Sequence, residues 1–320
     1  MVNIMKLDKK FKPNNVLTQK AAKGLAIRIF KYFFLISVGY IVLFQLFYML
    51  SYAFRPTEDM LEPSVVWLPR ELTMQHFYDA FAKMKYMTSL WNTLSIHIVS
   101  ALIEVGICAI VAYGFARFNF PFKNLLFALV LATIVVPSKM IAVPLYLNYA
   151  FFDIFGILGG LSKLVGQELR PNLLDSGLVF YLPSIFAGGL RSGLFIFIYR
   201  QFFKGLPLEL EEAASIDGAG PIKTFLYIII PSSGVAILTV AIFSVVWHWN
   251  EYDLSLLFFN DKFPLSVQLS FINSSLASDF TSNRGYTMAG CLLFVLPVLI
   301  MYIILQRKFI QSIDRVGIVG

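Results

Sequence analysis

The chain has 320 residues, of which 58% are hydrophobic and 14% charged, and its mean hydropathy is +0.73. Soluble domains average about 45–50% apolar and about 25% charged residues. The composition therefore argues against a soluble enzyme, a disordered protein or a secreted disulfide scaffold, and for a chain embedded in lipid. The net charge of +7 suits a membrane protein with cytoplasmic Lys and Arg and does not by itself indicate nucleic-acid binding.

Six stretches are apolar and long enough to cross a bilayer, which takes roughly 20 residues of helix. In chain order the predicted spans are Ile29–Leu50, Leu90–Ala116, Leu125–Tyr149, Gly177–Tyr199, Phe225–Trp247 and Tyr286–Leu305. Prolines in the third, fourth and fifth spans are expected to kink these helices rather than end them, because membrane helices tolerate proline. The sequence thus predicts an all-α polytopic membrane protein with six transmembrane helices.

The charge distribution predicts the orientation of these spans. The segments on the side of the N-terminus together hold more Lys and Arg than Asp and Glu, whereas the loops on the opposite side hold more acids. By the positive-inside rule, both termini are cytoplasmic. We predict a basic cytoplasmic segment at residues 1–28, a membrane domain at 29–305 and a cytoplasmic tail at 306–320.

The predicted cytoplasmic loop between spans four and five, residues 204–224, contains a short helix of its own. Pro207 suits a first helical position and Gly218 a position just past a helix end, which predicts a helix at about 207–216. We expect a left-handed backbone at Gly218 and the start of the next helix at Pro221. So short a helix needs a surface to dock on, and both the bilayer surface and a partner protein fit this requirement.

The motif Glu212-Ala213-Ala214, three residues, Gly218, nine residues, then Ile228-x-Ile230-Pro231, resembles the EAA loop of ABC importer permeases. The fuller string Glu-Glu-Ala-Ala-Ser-Ile-Asp-Gly-Ala at 211–219 is similar to that of the carbohydrate branch, the maltose-permease-like subunits. Other segments also resemble the family, and the likeness covers about residues 30–320. These segments are Asn92-Thr93-Leu94, Ala112–Pro121, Val136-Pro137, Val143–Tyr146, Arg200–Phe203, Trp249-Asn250-Glu251 and Gln306–Ile310.

The resemblance implies an inner-membrane permease subunit of a bacterial carbohydrate importer, without covalent chemistry of its own. It implies pairing with a second permease as a heterodimer, ABC ATPase subunits in the cytoplasm, and an extracellular binding protein that delivers a sugar or oligosaccharide. ATP and Mg²⁺ would be bound by the partner ATPase, since the sequence around Lys223 lacks the spacing of a phosphate loop. The ATPase-coupling residues implied are Glu211, Glu212, Ala213, Ala214, Asp217 and Gly218.

Two stretches depart from the family pattern. The chain ends Asp314-Arg-Val-Gly-Ile-Val-Gly320 rather than with the usual Thr-Ala-Gly-Ala-Val-Lys-Gly-like string. The outside loop at 159–173 has the character of an insertion. The resemblance therefore assigns no role to either stretch.

Three charged residues fall inside predicted spans: Glu104, Lys139 and Arg191. Because a charge within the bilayer is costly, such residues usually face a cavity or a partner. They either line the translocation path or form ion pairs between helices, unless they lie at a shallower depth than the spans suggest. Two histidines, His97 and His248, lack metal-ligand spacing and are interpreted as polar residues in helix interfaces.

Two other functions compete with sugar import. The first is an ABC importer for a different solute, which the carbohydrate-type string at 211–219 disfavours. The second is an integral membrane enzyme, which requires titratable residues clustered near one membrane face; here the conspicuous acids lie on the docking-type helix. The cysteines, Cys108 and Cys291, lie far apart in apolar stretches and form no metal or redox pattern. The sequence does not identify the sugar or show whether this subunit contacts it.

Overall fold

The computed structural model describes residues 15–62, 68–274 and 280–317, which form helices and turns with no β-strand in these ranges. The α-helices are α1 (Asn15–Ala53), α2 (Thr57–Leu61), α3 (Gln75–Lys83), α4 (Tyr86–Asn92), α5 (Val99–Arg117), α6 (Lys123–Val135), α7 (Ala142–Ala150), α8 (Ile157–Val165), α9 (Leu178–Ile185), α10 (Ser192–Gly205), α11 (Glu209–Ile216), α12 (Pro221–Thr224), α13 (Ile230–Ser232), α14 (Gly234–Trp249), α15 (Asp253–Phe258), α16 (Leu265–Ser274) and α17 (Phe280–Gly317). Two π-helical segments, Thr93–Ile98 and Phe225–Ile229, join α4 to α5 and α12 to α13, and a 3₁₀ turn, Ser138–Ile141, precedes α7.

Helix α5 lies at the centre of the bundle and contacts α9, α10 and α14. Small residues on α5, among them Ala109 and Ala112, are fully or almost fully buried and let the neighbouring helices approach closely. Large aromatic side chains of α10, including Phe195, Tyr199 and Phe203, fill the space beside them. This packing fixes the elements around which the candidate sites are built.

A second group of helices brings the two ends of the chain together. Helix α1 packs along α17, and α17 also contacts α3 and α16. Most side chains of α1 from Leu25 to Leu50 are large, apolar and exposed. Only 6% of the most apolar 18-residue stretch of this helix is buried within the chain. A surface of this kind is suited to lipid rather than to water.

Three of the predicted spans are confirmed as single helices long and apolar enough to cross a membrane: Lys23–Ala53, Tyr86–Arg117 and Arg284–Ile304. The third and fifth predicted spans are bent pairs of helices. Lys123–Val135 and Lys139–Ala150 meet at 94°, and Pro221–Ser232 and Gly234–Trp249 meet at 80°. Counting each bent pair as one span gives five within the described residues.

The prediction of a single helix across Gly177–Tyr199 is wrong. The chain there forms α9 and α10, separated by residues 186–191, and neither helix is long enough to span a membrane alone. Ala187 and Arg191 both have left-handed backbones, with φ of 55° and 62°. Since a helix needs negative φ at every residue, these two positions interrupt it. The prediction that proline only kinks the third span is wrong too, because Pro137 lies between two separate helices.

Candidate functional site

A cavity of about 530 Å³ lies where the broken helices meet. Its lining comes from the break between α6 and α7, the break between α9 and α10, and the C-terminal end of α14 with the turn that follows. Breaks in membrane helices expose backbone polar groups, which are tolerated where they are buried in protein or line a cavity. The aromatic side chains Tyr149, Phe180, Trp247 and Phe258 also contribute to the lining. The cavity therefore combines apolar surface with polar groups, as solute-binding cavities do.

Four residues with formal charges line this cavity. Lys139 and Arg191 are the cations, and Glu251 and Asp253 are the carboxylates. The Lys139 Nζ lies 3.1 Å from the Asp253 Oδ2, with 74% and 51% of the two side chains exposed. An ion pair this exposed contributes little to stability.

Glu251 and Arg191 are held differently. Glu251 Oε1 accepts a hydrogen bond of 2.8 Å from the Leu254 backbone N–H, and burial raises the pKa of the Glu251 carboxyl. The Arg191 guanidinium carbon lies 5.8 Å from the Trp247 ring centroid, within the range of a cation–π contact.

Glu104 lies fully buried behind the cavity rather than on its wall. The hydroxyls of Ser192 and Ser244 donate to its two carboxylate oxygens, the second at 3.1 Å. His248 Nδ1 lies 3.7 Å from Glu104 Oε2 and 3.0 Å from the Ser244 carbonyl oxygen. Glu104 thus joins α5, α10 and α14 through polar contacts, which is how a buried polar network specifies helix packing.

The two histidines lie in helix interfaces, as predicted. His97 and His248 are 0% and 1% exposed, and their ring centroids are 6.3 Å apart. His97 Nε2 is 3.2 Å from the Ser255 hydroxyl. No group of three or more His, Cys, Asp or Glu side chains that could hold a metal ion occurs among the residues described.

The structure separates the three intramembrane charges that the sequence grouped together. Lys139 and Arg191 lie at breaks between helices and line the cavity, whereas Glu104 lies in the packed interface behind it. None of the three pairs with another of the set among the described residues; the ion pair of Lys139 is with Asp253. Their roles in transport stay predictions. Asp253 also lines the cavity and was not predicted to, although the nearby Glu251 belongs to a family motif.

The second candidate site is the loop helix α11, which begins two residues later than predicted. Gly218 follows it with φ of +77°, which confirms the expected left-handed backbone. The Ala219 N–H donates to the Ala214 carbonyl at 2.9 Å and the Gly218 N–H to the Ser215 carbonyl at 3.1 Å. This pair of bonds is a Schellman motif, which satisfies the last carbonyls of the helix. Pro221 then begins α12, also as predicted.

One carboxylate fastens α11 to the end of α5. Glu211 Oε1 lies 2.5 Å from Arg117 Nε, and the Tyr113 hydroxyl donates to Glu211 Oε2 at 3.2 Å. Arg117 Nη2 also donates to the Leu206 carbonyl at 2.9 Å. The Arg117 and Glu211 side chains are only 8% and 18% exposed, so salt and water screen this ion pair less than a pair on the surface.

The rest of the predicted coupling residues divide into a buried and an exposed set. Ala214 is 4% exposed and packs inward, while Glu212, Ala213, Asp217 and Gly218 are exposed. Glu212 makes no side-chain hydrogen bond or ion pair within the described residues. Exposed apolar side chains flank this set, with Ile216 86% and Ile222 76% exposed. The loop thus presents a mixed acidic and apolar surface of the kind that protein interfaces bury.

Comparison with known proteins identifies the family. The family described as binding-protein-dependent transport system inner membrane component matches residues 105–315, about two thirds of the chain and the whole of both candidate sites. The chain belongs to this family. It is a permease subunit of an ABC importer, a multi-pass membrane component that leaves ATP hydrolysis to a separate subunit.

Individual relatives agree with the family. The chain is 25% identical to the trehalose transport system permease protein SugB of Mycobacterium tuberculosis over 88% of its own length and 94% of the relative's. It is 30% identical to the osmoprotective compounds uptake permease protein GgtD of Synechocystis, with 81% of each chain covered. Its fold resembles that of a chain in the crystal structure of a bacterial ABC transporter that imports the acidic polysaccharide alginate. That likeness has a TM-score of 0.68 and 18% identity, and covers 94% of this chain and 100% of that one.

Proposed function

We propose that this permease forms half of the translocation path for a sugar or oligosaccharide. The observation that carries the proposal is the cavity at the helix breaks, in which aromatic side chains lie beside four charged residues. Hydrogen-bonding groups placed beside aromatic rings suit a solute with many hydroxyls and an apolar ring face. The trehalose relative and the alginate importer support this choice of solute class, as does the carbohydrate-type string at 211–219.

The α11 surface is proposed as the contact with the ATPase. Its exposed residues, Glu212, Ala213, Asp217 and Gly218, would enter a cleft on an ATPase subunit, while Glu211 and Ala214 hold the helix to its own chain. Closure of the ATPase pair would then move α11 and, through the Arg117 ion pair, the end of α5. Since α5 contacts α9, α10 and α14, this movement would reach the cavity walls.

The membrane topology is also proposed. Six passes result if the α9–α10 pair crosses the bilayer as one broken span in addition to the three single helices and two bent pairs. Both termini and the α11 loop then face the cytoplasm, and a second permease subunit completes the path. Residues 1–14 and 318–320 of the proposed cytoplasmic ends lie outside the described residues.

Reconstitution tests the function. The complete transporter, with this chain, its partner permease, the ATPase and the binding protein, is placed in proteoliposomes, and ATP-driven uptake is measured for a panel of sugars, oligosaccharides and zwitterionic osmolytes. The panel includes osmolytes because of the osmoprotective relative. We expect accumulation of at least one sugar, abolished when the ATPase is inactivated. Accumulation of osmolytes alone would refute sugar transport while leaving the family assignment intact.

A further inference from the structure

Arg191 is the one cavity cation that forms no ion pair among the described residues. Its charge still acts on the Glu251 carboxyl from a greater distance and opposes the effect of burial on the pKa of that group. Lys139 is paired with Asp253 at 3.1 Å, and Glu251 accepts the Leu254 N–H. Arg191 has no ion pair and no side-chain hydrogen bond in that part of the chain; its contact is with the Trp247 ring at 5.8 Å. Its planar guanidinium, with five N–H donors, is therefore free to bind a solute.

The strained backbone at Arg191 indicates that the position of its side chain on the cavity wall has a function. Its φ of 62° lies in the left-handed region, which a residue with a Cβ adopts at a cost. Strained backbone of this kind concentrates at ligand clamps and active sites, where the surrounding structure holds it. Here the strained residue ends the break between α9 and α10 and sets its side chain on the cavity wall.

Trp247 fixes where the guanidinium lies. The ring packs against Phe195 at 5.7 Å and Phe243 at 5.6 Å between centroids, which holds it in place. A guanidinium over an aromatic face loses little of its capacity to donate hydrogen bonds at its edge. The edge is thus pre-oriented, which reduces the entropy lost when a solute binds.

The charges of the cavity also limit the solute. Two cations and two carboxylates line it, so the formal charges of these four residues cancel. A solute with a net charge would meet no excess of opposite charge in this cavity to offset the hydration that it loses on binding. A neutral solute with paired hydroxyls suits both the balanced charge and the free donors of Arg191.

From these observations, we propose that this subunit itself binds the transported solute, that the solute is an uncharged sugar, and that Arg191 donates hydrogen bonds to its hydroxyl oxygens. Trp247 is a positioning residue that holds the guanidinium. The inference rests on the proposed function, since it identifies a contact residue and a solute class within sugar transport.

The test separates the permease from the binding protein, whose own specificity would dominate uptake. The full membrane complex of the two permeases and the ATPase is purified in nanodiscs, and equilibrium binding is measured without the binding protein. The probes are the neutral sugar with the highest uptake in the reconstitution panel and its uronate counterpart. We expect the neutral sugar to bind at least about tenfold more tightly than the uronate, a clear difference on the affinity scale.

Substitutions then assign the contact. Arg191→Gln should weaken neutral-sugar binding about tenfold or more, because a hydrogen bond from a charged donor is lost. The cost of the left-handed backbone at this position is the same for both side chains. Trp247→Leu should weaken binding to a similar extent, because it removes the aromatic face beside the guanidinium. Trp247→Phe keeps an aromatic face and should retain most of the binding. A role in packing volume alone would not produce this difference. The matched control is Arg170→Gln, which removes another arginine that lies over an aromatic ring, Phe151 at 5.2 Å, but outside the cavity lining.

The outcomes test the Arg191 contact, the neutral solute and sugar transport separately. Unchanged binding in both Arg191→Gln and Trp247→Leu overturns the proposed contact, and so does equal weakening by Arg170→Gln. Tighter binding of the uronate overturns the neutral-solute assignment. Neither result affects the uptake experiment, so the broader proposal of sugar transport fails only if the wild-type transporter accumulates no sugar. If Arg191→Gln does not assemble, the two Trp247 variants still decide the contact.

Discussion

Gly218 and its neighbour Gly220 differ in backbone conformation. A Cβ built at either position meets no atom within 4 Å, but φ is +77° at Gly218 and −75° at Gly220. We expect Gly218→Ala to strain the loop by about 1–2 kcal/mol, whereas Gly220→Ala places its Cβ on a backbone with an ordinary negative φ and adds no such strain. Binding-protein-stimulated ATPase activity of the purified complex is the measurement, and we expect it to fall in Gly218→Ala alone. Equal activity in the two variants would show that the left-handed turn is unimportant for coupling.

His76, which lies on α3 outside the predicted spans, should make the stability of the protein depend on pH. It is 2% exposed, and its Nε2 donates to the Arg55 carbonyl at 2.9 Å. Burial lowers its pKa from the ordinary value of 6.5, against a smaller opposing effect of that hydrogen bond. With a lowered pKa in the folded state, the stability it contributes is complete above pH 6.5 and is lost as the pH falls below that value.

We therefore expect the thermal stability of the purified complex to decrease as the pH falls from about 6.5 to 5.5. His76→Gln, which keeps a donor for the Arg55 carbonyl but does not titrate, should flatten this dependence. The loss should appear first in the contact of α3 with α17, because the His76 ring lies edge-on to Tyr286 at 4.8 Å. A pH profile identical in both proteins would show that His76 does not control stability in this range.

The limits of the sequence are clearest at residues that meet across long separations. The buried Glu104 was recognised as a charge inside a span, but its partners, Ser192 and Ser244, lie 88 and 140 residues away along the chain. No local pattern specifies such pairs. Likewise, the family resemblance grouped Glu211 with Glu212 as coupling residues, and only the docking of α11 on α5 shows which carboxylate faces Arg117. By contrast, Gly218 and Pro221 were predictable, since their conformations depend on the residue itself.

At the scale of elements, hydropathy found the apolar stretches but not the breaks within them. A window of 20 residues averages over a short irregular segment, so α9 and α10 read as one span. The interruption depends on the left-handed backbones of Ala187 and Arg191, for which neither residue type has a preference. The break is sustained by tertiary packing: a Cβ at Gly189 would lie 2.8 Å from both Glu104 Oε1 and the Ser184 hydroxyl, too close for any larger residue.

The attachment of α11 to α5 yields a prediction with a control on the same helix. Glu211→Ala removes the carboxylate that meets Arg117 and Tyr113, and a hydrogen bond to a charged group is worth about 1.5–3 kcal/mol. We expect faster hydrogen exchange of the amides at 209–217 in the purified permeases without the ATPase, since the helix loses its anchor. Glu212→Ala removes an exposed carboxylate from the neighbouring position and should leave exchange unchanged in the permeases without the ATPase.

If both substitutions accelerate exchange equally, the ion pair is not what seats the helix. If neither does, the packing of Ala214 is sufficient to hold it. With the ATPase bound, the expectation reverses for Glu212, because its exposed carboxylate belongs to the proposed docking surface. Protection gained by 209–217 on ATPase addition should then be smaller in Glu212→Ala than in the wild type.

At the scale of the whole molecule, the cavity and the α11 loop lie at opposite ends of the same helices. The cavity lies among α6, α7, α9, α10 and α14, and the α11 loop lies at the far end of α5 and α10. Helix α10 begins after the cavity residue Arg191 and ends close to α11. A movement of the α11 loop can therefore be transmitted along α10 to the cavity. This arrangement is useful for ATP-driven transport only if α11 faces the cytoplasm.

Single-cysteine labelling tests that orientation. In a background lacking Cys108 and Cys291, cysteine is introduced either at Ser215 on α11 or at Lys163 on α8, both exposed positions. The charge bias predicts that α11 lies in the cytoplasm and α8 outside. An impermeant thiol reagent applied to intact cells should therefore label Lys163→Cys and spare Ser215→Cys, while permeabilised cells or inverted vesicles should expose Ser215→Cys. Transport activity of each variant confirms that the labelled protein is folded. Labelling of Ser215→Cys from outside intact, transport-competent cells would place α11 on the wrong side for any contact with an ATPase, and the coupling proposal would fall with the topology.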